Sequence, residues 1–306
     1  MSTNTSLAIP TKRKSKKLQT AIDTLKATGN FMIYEKLKPS FCRKNSKDDE
    51  IRSAIYVDTE TTGLNPDTDK IIEIAVVPFK YNGLTGEIVE FIEKKAFSCF
   101  EDPGFPLSEE IVRLTGITDE DVQGKRLDDV KINKAIKSSV LVISHHAGFD
   151  RPFLEKRLPF FQDINWACSL TDINWSAEYI SSGKLEYIAF KYGFYYDAHR
   201  ALNDCFAGVE ILTRRLPESG RNAMKVLLES ARRVDTKMKL IAPFEMNDKI
   251  KELGGKWEPD TKTWYCYVND VELDEFKQRA AEKGVQTANL GAKITSLNRF
   301  RQVKSA

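Results

Sequence analysis

The 306-residue sequence contains no run of apolar residues that approaches the roughly 20 a membrane-spanning helix requires. No stretch of about 7–15 apolar residues follows the basic residues near the N-terminus, so we expect neither a membrane protein nor a signal peptide. Cysteine is scarce and no C-x-x-C pair occurs, which excludes a disulfide scaffold and a cysteine-rich zinc site. The five cysteines are widely spaced: Cys42, Cys99, Cys168, Cys205 and Cys266. This usage is typical of the reducing cytoplasm, where we expect the protein to act.

The remaining composition is that of a globular protein, with 41% hydrophobic and 30% charged residues and a length of about two domains. Charge is distributed unevenly along the chain. Residues 1–50 contain 11 Lys and Arg against 5 Asp and Glu, residues 51–216 contain 19 against 26, and residues 217–306 contain 17 against 13. The acidic middle indicates either a solvated surface or carboxylates gathered around metal ions. The basic ends indicate either contact with a polyanion or solubilising tails.

Changes in composition along the chain predict five segments. Residues 1–17 are polar and basic, typical of a solvated tail or of a nuclear-targeting or nucleic-acid-binding patch. Leu18, Ile22 and Leu25 have the spacing of a short amphipathic helix, and residues 39–53 are typical of a linker. The predicted segments are a basic arm with a short helix (1–51), a main domain (52–216), a helical connector (217–237), a small α+β domain (238–285) and a basic tail (286–306).

The main domain alternates between strand-like and helix-like patterns, which predicts an α/β fold with a mixed central sheet flanked by helices. The Asn82-Gly83 turn favours a hairpin between its second and third strands. The predicted strands cover residues 54–57, 71–79, 88–97, 140–144 and 166–170. The predicted helices cover residues 108–114, 127–138, 150–157, 184–192 and 200–216.

The small domain is predicted to contain a strand at 239–242, a helix at 247–253, a hairpin across 256–268 and a helix at 271–283. Its aromatic residues either stack on nucleic-acid bases or supply the core that so small a unit needs. They are Trp257, Trp264, Tyr265 and Tyr267.

The pattern that indicates chemistry is the pair Asp58 and Glu60, two residues apart at the end of a predicted strand. In extended geometry both carboxylates project from the same face of the strand. Carboxylate oxygens are the ligands that Mg²⁺ and Mn²⁺ prefer. A polar strand end without a metal would show the same dipeptide.

Two further carboxylates strengthen the metal hypothesis. Asp150 directly follows a predicted buried strand, and Asp204 lies on a predicted helix five residues after His199, which we place at the entry of that helix. Four carboxylates share a cleft as anions only where cations neutralise them. Two divalent ions about 3.5–4 Å apart would do so and would flank an in-line attack on phosphorus. A histidine adds a group that accepts a proton from the attacking water. His145 and His146 are either further ligands or ordinary loop residues.

Residues 52–216 resemble the DnaQ-like 3′–5′ exonucleases of the DEDD type, His subclass. The resemblance rests on the Asp-Thr-Glu-Thr-Thr-Gly-Leu motif at 58–64, on Leu-Thr-Gly-Ile-Thr at 114–118, on the motif ending in Asp150 and on the His-x₄-Asp element at 199–204. His146 stands where this family usually has Asn. Arg200 occupies the position at which the tyrosine subclass has Tyr, which favours the His subclass.

The resemblance implies a ribonuclease H-like exonuclease fold and two bound Mg²⁺ or Mn²⁺ ions. It implies that Asp58, Glu60, Asp150 and Asp204 are the metal ligands, with Asp58 between the two ions, and that His199 is the general base. It further implies that the terminal nucleotide is bound by Thr61, Gly63, Leu64, Ile117 and Phe149.

We therefore expect a cytoplasmic, metal-dependent 3′–5′ exonuclease that releases nucleoside monophosphates from single-stranded 3′ ends, with DNA favoured over RNA. A polymerase or helicase is the expected type of protein partner, and no membrane association is expected. The alternatives are a proofreading subunit of a DNA polymerase and a non-catalytic nucleic-acid-binding adaptor. Residues 238–284 resemble a small uncharacterised module appended to plasmid- and phage-type nucleic-acid enzymes.

Overall fold

The computed structural model describes residues 16–38, 50–91 and 93–301. Most of the predicted basic arm and linker, Cys42 and the last five residues lie outside this part of the chain. The α-helices are α1 Lys16–Ala27, α2 Glu109–Thr115, α3 Asp119–Val122, α4 Asp129–Lys137, α5 Ala147–Arg157, α6 Leu185–Lys191, α7 Ala201–Leu212, α8 Ala223–Ala231, α9 Asn247–Glu252 and α10 Leu273–Glu282. The strands are β1 Glu35–Lys36, β2 Ile51–Thr61, β3 Ile71–Asn82, β4 Ile88–Phe91, β5 Phe97–Phe100, β6 Leu141–Ser144, β7 Asn165–Cys168, β8 Phe194–Tyr195, β9 Asp235–Ile241, β10 Lys256–Glu258, β11 Thr263–Asn269 and β12 Gln286–Ile294.

The main sheet has the strand order β4-β3-β2-β6-β7, and β5 also pairs with β3. β3 runs antiparallel to β2, whereas β2, β6 and β7 are parallel to one another. Successive residues of β2 face opposite sides: Tyr56 belongs to the core cluster under α6, α7 and α8, and Val57 to the cluster under α4 and α5. The prediction of a mixed sheet flanked by helices is confirmed.

The predicted third strand, 88–97, is wrong as a single element. β4 pairs with residues 79–81 of β3, β5 pairs with residues 73–76 of the same strand, and a 3₁₀ turn at Glu93–Lys95 separates them. The break lies opposite Pro78. Proline has no N–H to donate to a neighbouring strand, so the pairing is interrupted there and resumes on either side.

The small domain is a four-stranded antiparallel sheet of order β10-β11-β9-β12 with α9 and α10 on one face. The sequence predicts a basic tail from residue 286, but Gln286–Ile294 forms β12 along the free edge of β9. β12 is polar and contains Gly291, so its own pattern does not predict a strand. Without β12, β9 would be an edge strand with unpaired N–H and C=O groups, and β12 forms by hydrogen bonding to those groups.

After β12 the chain returns to the main sheet. The backbone N–H of Trp166 on β7 donates to the carbonyl of Ser296, 2.7 Å away. Arg151 is 0% exposed and donates to the carbonyls of Leu297 and Arg299 at 2.7 and 2.6 Å. Residues 295–301 are thus bonded to the main domain, while the domain boundaries at 216 and 238 stay predictions.

The predicted connector contributes to the main core, because Met224, Leu227 and Leu228 of α8 belong to its hydrophobic cluster. Within the described ranges, none of the helices has the length and apolar character needed to cross a bilayer. The four described cysteines, Cys99, Cys168, Cys205 and Cys266, are free thiols.

Candidate active site

β2 supplies the first two carboxylates of the cleft. The strand continues past Val57, where the sequence predicts its end, to Thr61, so Asp58 and Glu60 lie inside it. Side chains alternate along a strand, so both lie on the same side of β2 as Tyr56, which is the side that α7 covers. The predicted alignment of the two carboxylates on one face is confirmed.

A glycine brings the third carboxylate to this strand. A Cβ atom on Gly208 of α7 would lie 2.2 Å from Cζ of Tyr56, so only glycine permits the helix to approach β2 this closely. Asp204 lies one helical turn before Gly208, on the same face of α7. Carboxylate oxygens of Asp58, Glu60 and Asp204 consequently lie within 4.8 Å of one another.

The fourth carboxylate, Asp150, lies in the first turn of α5 and lines the same cleft. It is 2% exposed, and its Oδ1 accepts hydrogen bonds from the backbone N–H of Thr59 at 3.1 Å and from Thr59 Oγ1 at 2.8 Å. Asp150 lies outside the group of three oxygens that approach within 4.8 Å. These hydrogen bonds tie it to the residue between Asp58 and Glu60.

Burial raises the pKa values of all four carboxyls, and neighbouring carboxylates of the cluster raise those of Asp58 and Glu60 further. The pKa of Asp58 rises well above its ordinary value, first because of burial and then because of Asp150. Burial, followed by Asp204, raises the pKa of Glu60 to about 8. Burial raises the pKa of Asp150 and of Asp204 to about 6, opposed by hydrogen bonds from Thr59 and Tyr196 respectively. Without a cation, the ionised cluster is therefore unfavourable.

His199 lies where the sequence predicts, at the entry of α7, which begins two residues later. Its φ of 62° is in the left-handed region, uncommon for a non-glycine residue. Its side chain is 51% exposed, and Nε2 lies 3.5 Å from Oε1 of Glu186. The imidazole lines the same cleft as the four carboxylates, so the structure brings all five predicted catalytic residues together.

The cleft has a volume of about 740 Å³, and of the five predicted nucleotide-binding residues Phe149 lines it. Leu64 is 84% exposed on the loop between β2 and β3. Thr61 is the last residue of β2 and Gly63 lies at the start of that loop, where Thr61 Oγ1 donates to the Gly63 carbonyl at 2.6 Å. A Cβ on Gly63 would lie 2.5 Å from the Asp69 carboxylate, so this glycine has a local structural role.

The expectation that Ile117 contacts the nucleotide is wrong for this structure. Ile117 is 0% exposed and packs with Ile72, Leu107 and Val122 in a small core cluster. Leu114, three residues earlier, is 52% exposed and lines the cleft. The C-cap at Gly116 reverses the chain after α2 and directs Ile117 inward.

Sequence reasoning missed Glu73. It is directly opposite Glu60 in the β2–β3 register and is 1% exposed, and Nε of Arg200 lies 3.6 Å from its Oε2. The sequence does single this residue out, because Glu73 is the only charged residue in the apolar run 71–77. Tyr196 was also missed; its hydroxyl donates to Oδ1 of Asp204 at 2.9 Å.

The partly buried histidine of the cleft, His145, is held at both ring nitrogens. Nδ1 bonds to Ser169 Oγ at 2.9 Å and Nε2 to the Gly183 carbonyl at 2.6 Å. Burial lowers the pKa of His145 to about 4. Both nitrogens are thus engaged, which favours the loop interpretation over a metal ligand.

Comparison with known proteins decides the family. The family profile described as Exonuclease (RNase_T) matches residues 55–212, about half of the chain. The chain belongs to this exonuclease family. This confirms the resemblance to DnaQ-like 3′–5′ exonucleases, while the resemblance of residues 238–284 to an appended module stays a prediction.

The relatives of this exonuclease chain include DNA polymerases III of the PolC type. The proteins from Lacticaseibacillus paracasei, Listeria monocytogenes and Staphylococcus aureus are 37%, 40% and 32% identical over 35%, 32% and 55% of this chain. The matches span 7%, 6% and 12% of those proteins, so this chain corresponds to a small part of each.

Solved structures are also similar to this exonuclease. Exonuclease X in complex with 5′-overhanging duplex DNA is 22% identical, with a TM-score of 0.39, over 58% of this chain and 90% of that one. E. coli exonuclease I in complex with a dA16 oligonucleotide is 15% identical, with a TM-score of 0.46, over 62% of this chain and 48% of that one.

Proposed function

We propose that this protein is a metal-dependent 3′–5′ exonuclease that hydrolyses phosphodiester bonds at single-stranded 3′ ends and releases nucleoside monophosphates. The observation that carries the proposal is the convergence of Asp58, Glu60 and Asp204 within 4.8 Å, in a cleft that His199 and Asp150 also line. Family membership of residues 55–212 supports the same reaction. A non-catalytic nucleic-acid-binding adaptor would not need all five of these side chains.

The residues of the cleft fit divalent cations. Their donor atoms are carboxylate oxygens, which suit Mg²⁺ and Mn²⁺, and their raised pKa values are those of anions that lack a counter-charge. Asp58, Glu60, Asp150 and Asp204 would hold two such ions. When bound, the ions neutralise the cluster, lower the pKa of a water ligand and stabilise charge on the phosphodiester.

The protein's own groups position the substrate and move the proton. His199 accepts the proton of the attacking water, and its half-exposed position permits exchange with solvent afterwards. Tyr196 and Thr59 hold the oxygens of Asp204 and Asp150 through hydrogen bonds. Phe149 and Leu114 present apolar surface to the terminal base, which suits a substrate read without sequence preference.

The test is digestion of 5′-labelled single-stranded DNA and of the matching RNA, with Mg²⁺, with Mn²⁺ and with a chelator. We expect a ladder that shortens from the 3′ end with either metal and no cleavage with the chelator, with DNA cut faster than RNA. The Asp67→Asn variant is a matched control, because Asp67 is an exposed carboxylate of the adjacent loop. Cleavage that persists in the chelator, or that starts at the 5′ end, would refute the proposal.

A proofreading role is the second candidate, because the relatives named above are DNA polymerases of the PolC type. The two candidates differ in what the isolated chain does. A stand-alone enzyme digests free single strands at full rate, whereas a proofreading subunit requires a polymerase to present a mismatched primer end. Comparison of turnover on free strands and on primer–template, with and without a polymerase, separates them.

A further inference from the structure

The small sheet has one face that the core does not use. Met238 and Leu240 of β9 and Cys266 and Val268 of β11 are buried against α9 and α10. Side chains alternate along a strand, so the residues between them lie on the opposite, outer face. These outer-face residues are Lys237 and Lys239 on β9 and Tyr265 and Tyr267 on β11; Lys256 on β10 joins them by its register with Tyr265.

The register places each tyrosine beside lysine. Tyr265 lies directly between Lys256 on one neighbouring strand and Lys239 on the other, and Tyr267 lies opposite Lys237. Directly paired residues of antiparallel strands have Cβ atoms about 4.5–5.5 Å apart. Nζ of Lys237 is 4.2 Å from the centroid of the Tyr265 ring, and the two tyrosine rings are 5.7 Å apart. The outer face is therefore an alternating array of rings and ammonium groups.

Part of this array has no partner within the described chain. Lys237 is paired with Glu258 at 2.9 Å, but Lys239 and Lys256 form no ion pair with a described residue. Tyr267 is 42% exposed, and Lys256 is exposed. The tryptophans are different: Trp264 packs against the helix-side core, and Trp257 is its cross-strand partner. Trp257 is itself 47% exposed, but its register with Trp264 places it on the helix side, so the aromatics of the outer face are the tyrosines.

We propose that the outer face of the small sheet binds single-stranded nucleic acid, with bases on Tyr265 and Tyr267 and phosphates on Lys239 and Lys256. Unpaired bases stack on aromatic rings whatever their identity, and lysines contact the backbone charge. Charge distribution supports a polyanion here, because residues 217–306 have 17 basic against 13 acidic residues while residues 51–216 have 19 against 26. This site deepens the proposed exonuclease function and rests on it for the choice of ligand.

The test measures binding of a fluorescent 20-nucleotide single strand to the full chain in chelator, where no cleavage occurs. We expect Tyr267→Ala to weaken binding roughly 5- to 100-fold, the usual loss for one stacked base. Tyr267→Phe should retain the wild-type affinity, because stacking needs the ring and not the hydroxyl. Lys239→Gln should make the slope of log affinity against log salt shallower by about 0.7, as for one phosphate contact.

Lys277→Gln, on α10 of the same domain, is the matched control and should leave affinity and slope unchanged. A duplex of equal length should compete at least tenfold less well, because its bases are not free to stack. Equal affinities and slopes for wild type, Tyr267→Ala and Lys239→Gln would overturn the proposal, as would equal competition by duplex. Cleavage of a dinucleotide reports separately on the proposed reaction and should be the same in all of these variants.

Discussion

The four carboxylates of the cleft and His199 are held in opposite ways. Asp150 is 2% exposed and bonded to Thr59, and Asp204 is bonded to Tyr196 on a helix pressed against β2. His199 is half-exposed, has a left-handed backbone and lies 3.5 Å from a single, equally exposed carboxylate, Glu186. The carboxylates are fixed by the core, whereas the histidine is attached only at the rim.

This difference separates two requirements of the proposed reaction. Charges of one sign are brought together only where packing of the whole domain compensates for their burial and repulsion, which together raise the pKa of Glu60 to about 8. A proton acceptor must exchange its proton with water on every turnover, so a solvent-exposed rim suits it. Substitutions on the two sides should therefore affect different measurements.

Asp58→Asn should have the largest effect and reduce nuclease activity to the level seen with chelator. The amide keeps the size of the side chain but removes a negative ligand shared by the cluster. The fold should persist, because the change also removes repulsion. Activity and metal titration of the variant, compared with Asp67→Asn, measure this; wild-type turnover in Asp58→Asn would disprove the assignment of the cleft.

His199→Ala should lower turnover by roughly 10²–10⁴-fold, the usual contribution of a general base. Metal affinity should change little, because the four carboxylates remain. Turnover, Mn²⁺ titration and the pH–rate profile are the measurements, with His146→Ala, at the same cleft, as the control. A loss of metal affinity that parallels the loss of turnover would show that His199 and the four carboxylates do not have separate roles.

Metal should stabilise the protein more at pH 8 than at pH 6. The folded-state pKa values of about 8 for Glu60 and about 6 for Asp150 and Asp204 exceed the unfolded values, so these groups favour the fold below about pH 4. This stabilisation of the fold by protonation is lost as the pH rises through about 6 and about 8 and the carboxyls ionise. Bound cations then take the place of the protons. Thermal melting with and without Mn²⁺ at both pH values checks this, and Asp58→Asn should show a smaller shift at each.

Gly208→Ala should lower the free energy of unfolding by about 1–3 kcal/mol, the typical cost of overpacking a core. The added methyl group would lie 2.2 Å from the buried ring of Tyr56 and would push α7, with Asp204, away from β2. Gly148→Ala on α5 is the control, since its methyl group meets no atom within 4 Å and should leave stability equal or higher. Urea unfolding of both variants decides whether close approach at Gly208 is required.

Glu186→Gln should have the smallest effect, below about fivefold on turnover, because a half-exposed contact of this kind contributes only about 0–1 kcal/mol even between full charges. Steady-state kinetics at neutral pH provide the measurement. A loss comparable to that of His199→Ala would mean that Glu186 orients the imidazole, and the rim would then be as rigidly built as the carboxylate side.

Much of the fold was predictable because periodicity is a local property of the backbone. The apolar runs of β2, β3 and β6 and the position of His199 ahead of α7 each follow from residues that are close together in the chain. The split of the third strand at Pro78 and the pairing of β12 were not predicted, since each depends on a neighbouring strand.

The sequence by itself determined which residues are able to perform the chemistry: the carboxylates, their spacing and the histidine five residues before Asp204. Only the tertiary structure decided how they meet. Gly208 permits the close approach of α7, which carries Asp204, to β2. The β2–β3 register places Glu73 directly opposite Glu60. After α2, Ile117 is buried, whereas Leu114 of that helix is exposed. The physical reason is that distances between residues far apart in the chain are set by packing, which no local pattern encodes.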